Sequence, residues 1–457
     1  MAKDRFTSAG QNNHYKANLN LALPVMLSQA GQMVVVLADN LMVGQLGATQ
    51  LAGAAFANNL FVVGMVFTMG LINGLTPLAG KAFGSGNRAE AVNWLRQSFT
   101  TFPVISTIQA LVMAALVLFM PFMGQPDEVV KLAIPYYLVL VTSLIPFQFF
   151  FIFKQYAEGL GNTRIAMTIT LTANIINIIL NYIFIYGKLG LPAMGLMGAG
   201  YATLISRIFM PIAFLLLFFK LDYFKPDRAY WKTTQFSIKA AVKLLKLGFP
   251  IAGQYIVEVL TFSLGSIMMG WLGEAALAAH QVVISLASLT YMTSAGLAAA
   301  TTIKVSHFRG EKRFKSIIHS VNASLRMVII FMSISVTMFL LFRYRIPALF
   351  VPDAEVISIA AGLMLVAGLF QIFDGIQVVS LGALRGLEDV KTPMLMVIIA
   401  YFPVALPISY VSAFVLGWGP QGIWLGYMAG LLMAGIQLLL RFRWKTKLLT
   451  ASCKEQL

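Results

Sequence analysis

Apolar runs bounded by charge, glycine or proline clusters recur twelve times along the chain. They lie at 18–44, 51–80, 92–122, 129–153, 165–187, 194–219, 241–272, 276–303, 316–342, 354–384, 393–416 and 420–440. Each reaches the ~20 residues that a helix needs to cross bilayer hydrocarbon. Several exceed it, which predicts tilts or kinks. The pattern predicts an all-α polytopic membrane protein of twelve transmembrane helices. The longest polar connection, LDYFKPDRAYWKTTQFSIKAAVK, separates six runs from six. It predicts an N-terminal six-helix lobe over 1–220, a cytoplasmic linker over 221–240, a C-terminal six-helix lobe over 241–445 and a cytoplasmic tail over 446–457. The first sixteen residues are polar. The run after them is too long for a signal-peptide core and has no clear small-residue cleavage pattern, so it reads as the first membrane helix.

Composition agrees with this pattern. Of 457 residues, 59% are apolar and 11% charged, less than half the charged share of a soluble domain, about 25%. Disorder is excluded by hydrophobicity, and a nucleic-acid binder would not dilute its basic residues in long apolar runs. The 33 Lys and Arg against 17 Asp and Glu leave a net charge of +16. If both termini and the even-to-odd loops are cytoplasmic, and basic residues at span ends are counted with the adjoining loop, 27 fall on that side and 4 on the other, with Arg207 and Arg326 deeper inside spans. That is a strong positive-inside bias, and basic loops of this kind hug anionic lipid. The single cysteine, Cys453, cannot close an internal disulfide. No GxxxxGK[ST] loop is present and no Cys/His cluster has zinc spacing. Neither a nucleotide-driven pump nor a cofactor is expected on this chain.

The two halves repeat. Leu21, Pro24, Gly44, Leu46, Gly47, Leu51 and Ala52 match Leu247, Pro250, Gly270, Leu272, Gly273, Leu277 and Ala278, every pair 226 residues apart. Gly159 matches Gly386 at 227, and Gly195 and Gly198 match Gly419 and Gly422 at 224. Six spans per half give both halves the same orientation. The result is a parallel repeat of two pseudo-symmetric lobes, an architecture of transporters that place substrate and ion sites between or within repeats.

Three acids lie well inside spans: Asp39, Glu258 and Asp374. A charge at mid-helix costs about 2.5–3.5 kcal/mol on insertion scales, so such residues face the bundle or a wet cavity and mark ion or proton pathways. A carboxyl fixed by interhelical hydrogen bonds is the competing explanation. In the repeat register Glu258 aligns with Gln32 and Asp39 with Gly265, so the acids break the duplication and give each half its own polar site. Thr170, Asn174, Asn177 and Asn181 share one helix face. Asn174 divides between cavity lining and interhelical bonding, whereas Asn177 and Asn181 are candidate partners of Asp39. Gln281, Ser285 and Ser288 form a weaker polar stripe, and the adjacent His280 reads as structural. Arg207 either lies near a carboxylate or snorkels to an interface. A minority of the 34 Phe and 24 Met are candidates to line a cavity for apolar cations.

The stretches LALPVMLSQAGQMVVVLADNLMVGQLG, LNYIFIYGKLGLPAMGLMGAGYAT, LGFPIAGQYIVEV with AAHQV, and FDGIQVVSLGALRGLEDVKTP together resemble the multidrug and toxic compound extrusion (MATE) antiporters, in particular their NorM-like bacterial branch. The resemblance covers essentially the whole chain. It implies a V-shaped molecule of two six-helix lobes in a bacterial inner membrane, a non-enzyme and a monomer, that exports cationic amphipathic compounds in exchange for Na⁺ or H⁺. It assigns Asp39 with Asn177, Asn181 and Thr203 to the N-lobe coupling site, and Glu258 with Asp374 to the C-lobe cation site. Na⁺ would bind at Glu258, Asp374 or Asp39. Gln32, Asn174, Gln281, Ser285 and Ser288 are cavity-lining candidates. One departure is Phe370, one turn before Asp374, where some Na⁺-coupled members have tyrosine. A lipid-linked precursor flippase of the same superfamily is the alternative. An intramembrane aspartyl protease is a remote one, because the acids lie on three helices without flanking protease motifs.

Overall fold

The computed structural model describes residues 11–231 and 236–454, with side chains for 14–231 and 236–451. The start of the polar amino-terminal segment, residues 232–235 of the central connection, the side chain of Cys453 and the end of the tail lie outside the described residues. Among the described residues, twelve helices are long and apolar enough to cross a membrane: α1 (His14–Gly44), α2 (Ala48–Gly84), α3 (Arg88–Leu118), α4 (Asp127–Gly159), α5 (Arg164–Tyr186), α6 (Leu196–Lys220), α7 (Ile238–Trp271), α8 (Glu274–Gly310), α9 (Phe314–Phe342), α10 (Ala354–Gly386), α11 (Lys391–Val415) and α12 (Gly419–Ala451). In hydrocarbon every backbone N–H and C=O must be satisfied within the protein, and a helix does this inside one segment.

Helix ends follow local chemistry. The Asn87 carboxamide accepts from Glu90 N–H at 3.0 Å to start α3, and Asp353 accepts from Glu355 N–H at 2.8 Å to start α10, which satisfies orphan donors of the first turn. The third apolar run leaves the helix at Leu118, before Pro121 and Gly124 (φ 70°). The basic ends of α8 and α12 stay helical beyond the apolar core, so α12 continues into the segment read as a tail. Arg441 on that extension donates to Asp389 at 2.9 Å. In the central connection, the short helix Lys225–Trp231 is held to α3 by a two-pronged Arg88–Asp227 pair, at 2.6 and 2.8 Å.

The duplication is visible in backbone conformation. Left-handed residues occur at matched positions: Gly47 (116°) and Gly273 (113°), Gly86 (80°) and Lys312 (58°), Gly161 (83°) and Glu388 (55°), Gly195 (54°) and Gly419 (57°). Glycine is the low-cost residue there. Lys312 and Glu388 keep the turn without it.

The chain forms two compact units, Leu27–Ala252 and Met1–Met26 with Gly253–Leu457. Their boundaries fall just past Pro24 and Pro250, the equivalent prolines inside α1 and α7. Within the second unit, the start of α1 is tied down by Asn18, which donates to Ser320 O (3.0 Å) and Ser324 Oγ (2.8 Å). Within the first, the start of α7 lays Lys243 over the Trp94 ring at 5.1 Å. Close helix approach depends on glycine at defined points. A Cβ on Gly382 of α10 would lie 2.5 Å from Ala298 O of α8, whereas one on Gly270 would meet nothing within 4 Å. Overpacking of this kind costs about 1–3 kcal/mol. Gly382→Ala should therefore lower the melting temperature in detergent by several degrees, with Gly270→Ala unchanged; equal melting of the two variants would refute this account of the α8–α10 crossing.

Candidate functional site

The first unit builds its polar site from α1, α5 and α6. Asn181 sits at i+4 from Asn177, so both amides face α1 and α6. Asn181 donates through Nδ2 to Asp39 and to Asn177 Oδ1 (3.1 Å), and Asn177 reaches Thr203 Oγ1 at 3.4 Å. Four of the residues assigned from sequence are thus brought into one chain. Asn177 and Asn181 are buried, while Asp39 and Thr203 are half-buried. Asp39 forms no salt bridge among the described residues.

Arg207 resolves into neither of its two sequence alternatives alone. It lies within electrostatic reach of Asp39 and Tyr136, but its fork is bound elsewhere. Nη1 donates to Ser143 Oγ at 2.7 Å, and the guanidinium lies 5.0 Å and 5.4 Å from the Phe61 and Phe147 ring centroids. A guanidinium stacked on aromatic faces keeps favourable electrostatics where water is scarce. Asn174 lies against α1: a Cβ on Gly31 would lie 2.9 Å from its Nδ2, which has no hydrogen-bond partner among the described residues. Gln32 is half-buried and makes no hydrogen bond among the described residues.

The second unit builds its site from α7, α10 and α11. Glu258 Oε1 accepts from Gln254 Nε2 at 3.2 Å, one turn back on α7, and from Gln377 Nε2 at 3.3 Å, on α10. Gln377 also meets the Tyr401 hydroxyl of α11 at 3.0 Å. Arg385 donates to Gln254 Oε1 (3.1 Å) and to the Tyr255 hydroxyl (3.0 Å). Because Arg385 takes the carbonyl of Gln254, the amide NH₂ must face Glu258. Asp374 is 8% exposed and within electrostatic reach of Glu258. It has no hydrogen bond or salt bridge among the described residues. One turn before it, Gln371 has both amide atoms buried and unpartnered. Buried polar groups in native structures are nearly always satisfied, so Gln371 is a candidate, with Asp374, to contact a bound ion or its water. Paired carboxylates with spare oxygens suit a hard monovalent cation or a proton. Among the described residues no group of three His, Cys, Asp or Glu could hold a heavier metal.

The structure also explains why the acids are not echoed by the repeat. The position equivalent to Asp39 is Gly265, where a Cβ would collide with the Tyr427 hydroxyl. Phe370 packs edge-on against Trp424 at 5.2 Å and Phe262 at 6.2 Å, so this position contributes ring packing and no oxygen. His280 is fully buried. Its Nδ1 accepts from Trp424 Nε1 (3.2 Å) and its Nε2 faces Ser266 Oγ (3.0 Å), a satisfied structural histidine. Ser285 and Ser288 turn their hydroxyls onto carbonyls of α8, Gln281 O at 2.7 Å and Ile284 O at 2.8 Å, and Gln281 is exposed. These three are not joined to the acids. Gln254, Gln371, Gln377, Tyr401 and Arg385 escaped the sequence reading. A signal existed in Gln254–Glu258 at i,i+4 and Gln371–Asp374–Gln377 at i,i+3,i+6, each a helix face.

The MatE family model matches the chain twice, over 24–183 and 250–411, starting at the paired prolines. The probable multidrug resistance protein NorM of Agrobacterium fabrum (strain C58 / ATCC 33970) is 30% identical over 438 residues, 94% of each chain. The multidrug resistance protein MdtK of Yersinia pestis (strain Pestoides F) is 30% identical over 448 residues, 95% of this chain and 96% of its own. In three dimensions the chain is similar to the eukaryotic MATE transporter AtDTX14, with TM-score 0.85 at 18% identity, covering 96% of this chain and 99% of that one. This last likeness concerns the fold.

Proposed function

This chain belongs to the MatE family, and we propose that it is a secondary antiporter that exports cationic, amphipathic organic compounds in exchange for inward-moving Na⁺ or H⁺. The observation that carries the reading is the Glu258–Asp374 pair. Gln377, three residues after Asp374 on α10, donates to Glu258 on α7 at 3.3 Å, so the two acids come within electrostatic reach of one another, with no salt bridge to either among the described residues. The names of the multidrug resistance relatives support the export of drugs.

In this proposal the two sequence halves, 1–220 and 241–445, work as lobes of a single chain in the inner membrane with both termini cytoplasmic. A proton or Na⁺ loads Glu258 and Asp374. The amides of Gln254 and Gln377 hold one oxygen of Glu258, which leaves its second oxygen and Asp374 to receive the ion. Asp39, oriented by Asn181, meets the positive charge of the exported compound or a second coupling ion. Exchange requires only that drug and ion each bind the alternating states with different affinity.

The test is efflux of a fluorescent organic cation from proteoliposomes under an imposed Na⁺ or H⁺ gradient. Acceleration by one gradient identifies the coupling ion. Rates that respond to neither gradient would overturn the antiport reading.

A further inference from the structure

Within the first unit, lined by none of the Asp39-site residues, α3, α4, α6 and the short helix Lys225–Trp231 form a groove of about 640 Å³. That volume lies within the 300–1,000 Å³ range of small-molecule sites. Phe99, Phe149 and Phe153 form one wall, Ile212, Leu215 and Phe219 the other, and Arg228 is the charged lining residue. The aromatic wall is preformed. Phe99 packs against Phe149 at 6.0 Å, Phe153 at 4.8 Å and Trp231 at 6.0 Å. The opposite rim is open: Ile212, Leu215 and Phe219 are 52%, 45% and 61% exposed.

The polar end is basic. Arg228 donates to the carbonyls of Phe218 (3.1 Å) and Phe219 at the end of α6, which pins its guanidinium at the groove mouth. Arg96 donates to Trp231 O at 2.9 Å on the same rim, and Lys220 and Lys225 are exposed nearby in sequence. Of the two acids in this segment, Asp227 is neutralised by Arg88 and Asp222 remains. The groove runs from Pro211 to Phe219 on α6, about 12 Å at 1.5 Å per residue. One leaflet of a ~30 Å hydrocarbon core is roughly 15 Å deep. A groove in the last turns of a membrane span is reached by lipid, and its basic mouth selects charge.

We propose that this groove holds one acyl chain of an anionic glycerophospholipid, with the phosphate-bearing headgroup at Arg228. Aromatic side chains and a basic residue at the membrane–water boundary suit such a ligand. The experiment is a native mass spectrometry titration of the full detergent-purified chain with dioleoylphosphatidylglycerol and dioleoylphosphatidylcholine. The wild type is expected to bind one phosphatidylglycerol at least ten-fold more tightly than phosphatidylcholine. Arg228→Gln should reduce phosphatidylglycerol to the phosphatidylcholine level, and Arg228→Lys should keep part of the preference. Leu215→Trp, which fills the groove, should weaken both lipids at an unchanged melting temperature, and it tests the groove even if Arg228→Gln fails to fold. Equal binding of the two lipids by the wild type overturns the proposal, as does full phosphatidylglycerol preference in folded Arg228→Gln or undiminished lipid binding in folded Leu215→Trp.

Discussion

Glu258→Gln and Asp374→Asn should each abolish gradient-driven efflux while leaving the protein folded. Both replacements keep size and hydrogen-bonding capacity but remove the charge that a coupling cation or proton requires. Losing a charged hydrogen-bonding ligand costs about 1.5–3 kcal/mol, roughly ten- to a hundred-fold in ion affinity. Folding should not suffer, because the amide relieves the burial cost of a carboxylate. At Glu258 the incoming amide can still offer its carbonyl oxygen to Gln254 and Gln377, the two donors now at 3.2 and 3.3 Å. The measurement is efflux from proteoliposomes at matched protein content, alongside thermal unfolding. Because the two acids interact electrostatically and are linked through α10 by Gln377, the double variant should be little worse than either single one, as expected of coupled sites. Wild-type-like efflux in both single variants would remove the second unit from the mechanism.

Asp39→Asn should reduce efflux by at least an order of magnitude, again without loss of fold. Asn181 can keep its bond, since an amide at position 39 can present its oxygen to Nδ2, and the relay to Asn177 at 3.1 Å is untouched. What disappears is the negative charge that meets a cation, so the effect should appear in transport and drug affinity rather than in melting temperature. Thr203→Val is the informative contrast. Its contact with Asn177 is 3.4 Å, beyond the usual 2.7–3.2 Å of an N–H···O bond, so efflux should stay near wild type. A severe defect in Thr203→Val with a mild one in Asp39→Asn would reverse the proposed roles.

Much of the candidate site was legible in the chain because a membrane makes charge expensive. Asp39, Glu258 and Asp374 stand out in apolar runs by that cost alone, and the 3.6-residue period puts Asn177 and Asn181 on one face. Their partners were less visible. Gln377 is 119 residues from Glu258 and Arg385 is 131 from Gln254, and a glutamine in a greasy helix carries little signal until its neighbour is known. The α8 stripe carries a weaker signal for a related reason. Ser285 and Ser288 have cavity-like spacing, but a serine inside a helix can satisfy its hydroxyl on the carbonyl four residues back, and both do.

Twelve helices, their duplication and the placement of three acids well inside apolar runs are written in the chain itself. These follow from hydrophobic length, a fixed helical period and the cost of burying charge, all local properties of the chain. Which acid has which neighbours is a matter of tertiary packing: Asn181 on Asp39, two glutamines on Glu258, Arg207 held on Ser143 and the rings of Phe61 and Phe147, and a tyrosine hydroxyl where the repeat would place another carboxylate. Those choices depend on how closely helices approach, which is set by single glycines and by side chains more than a hundred residues apart.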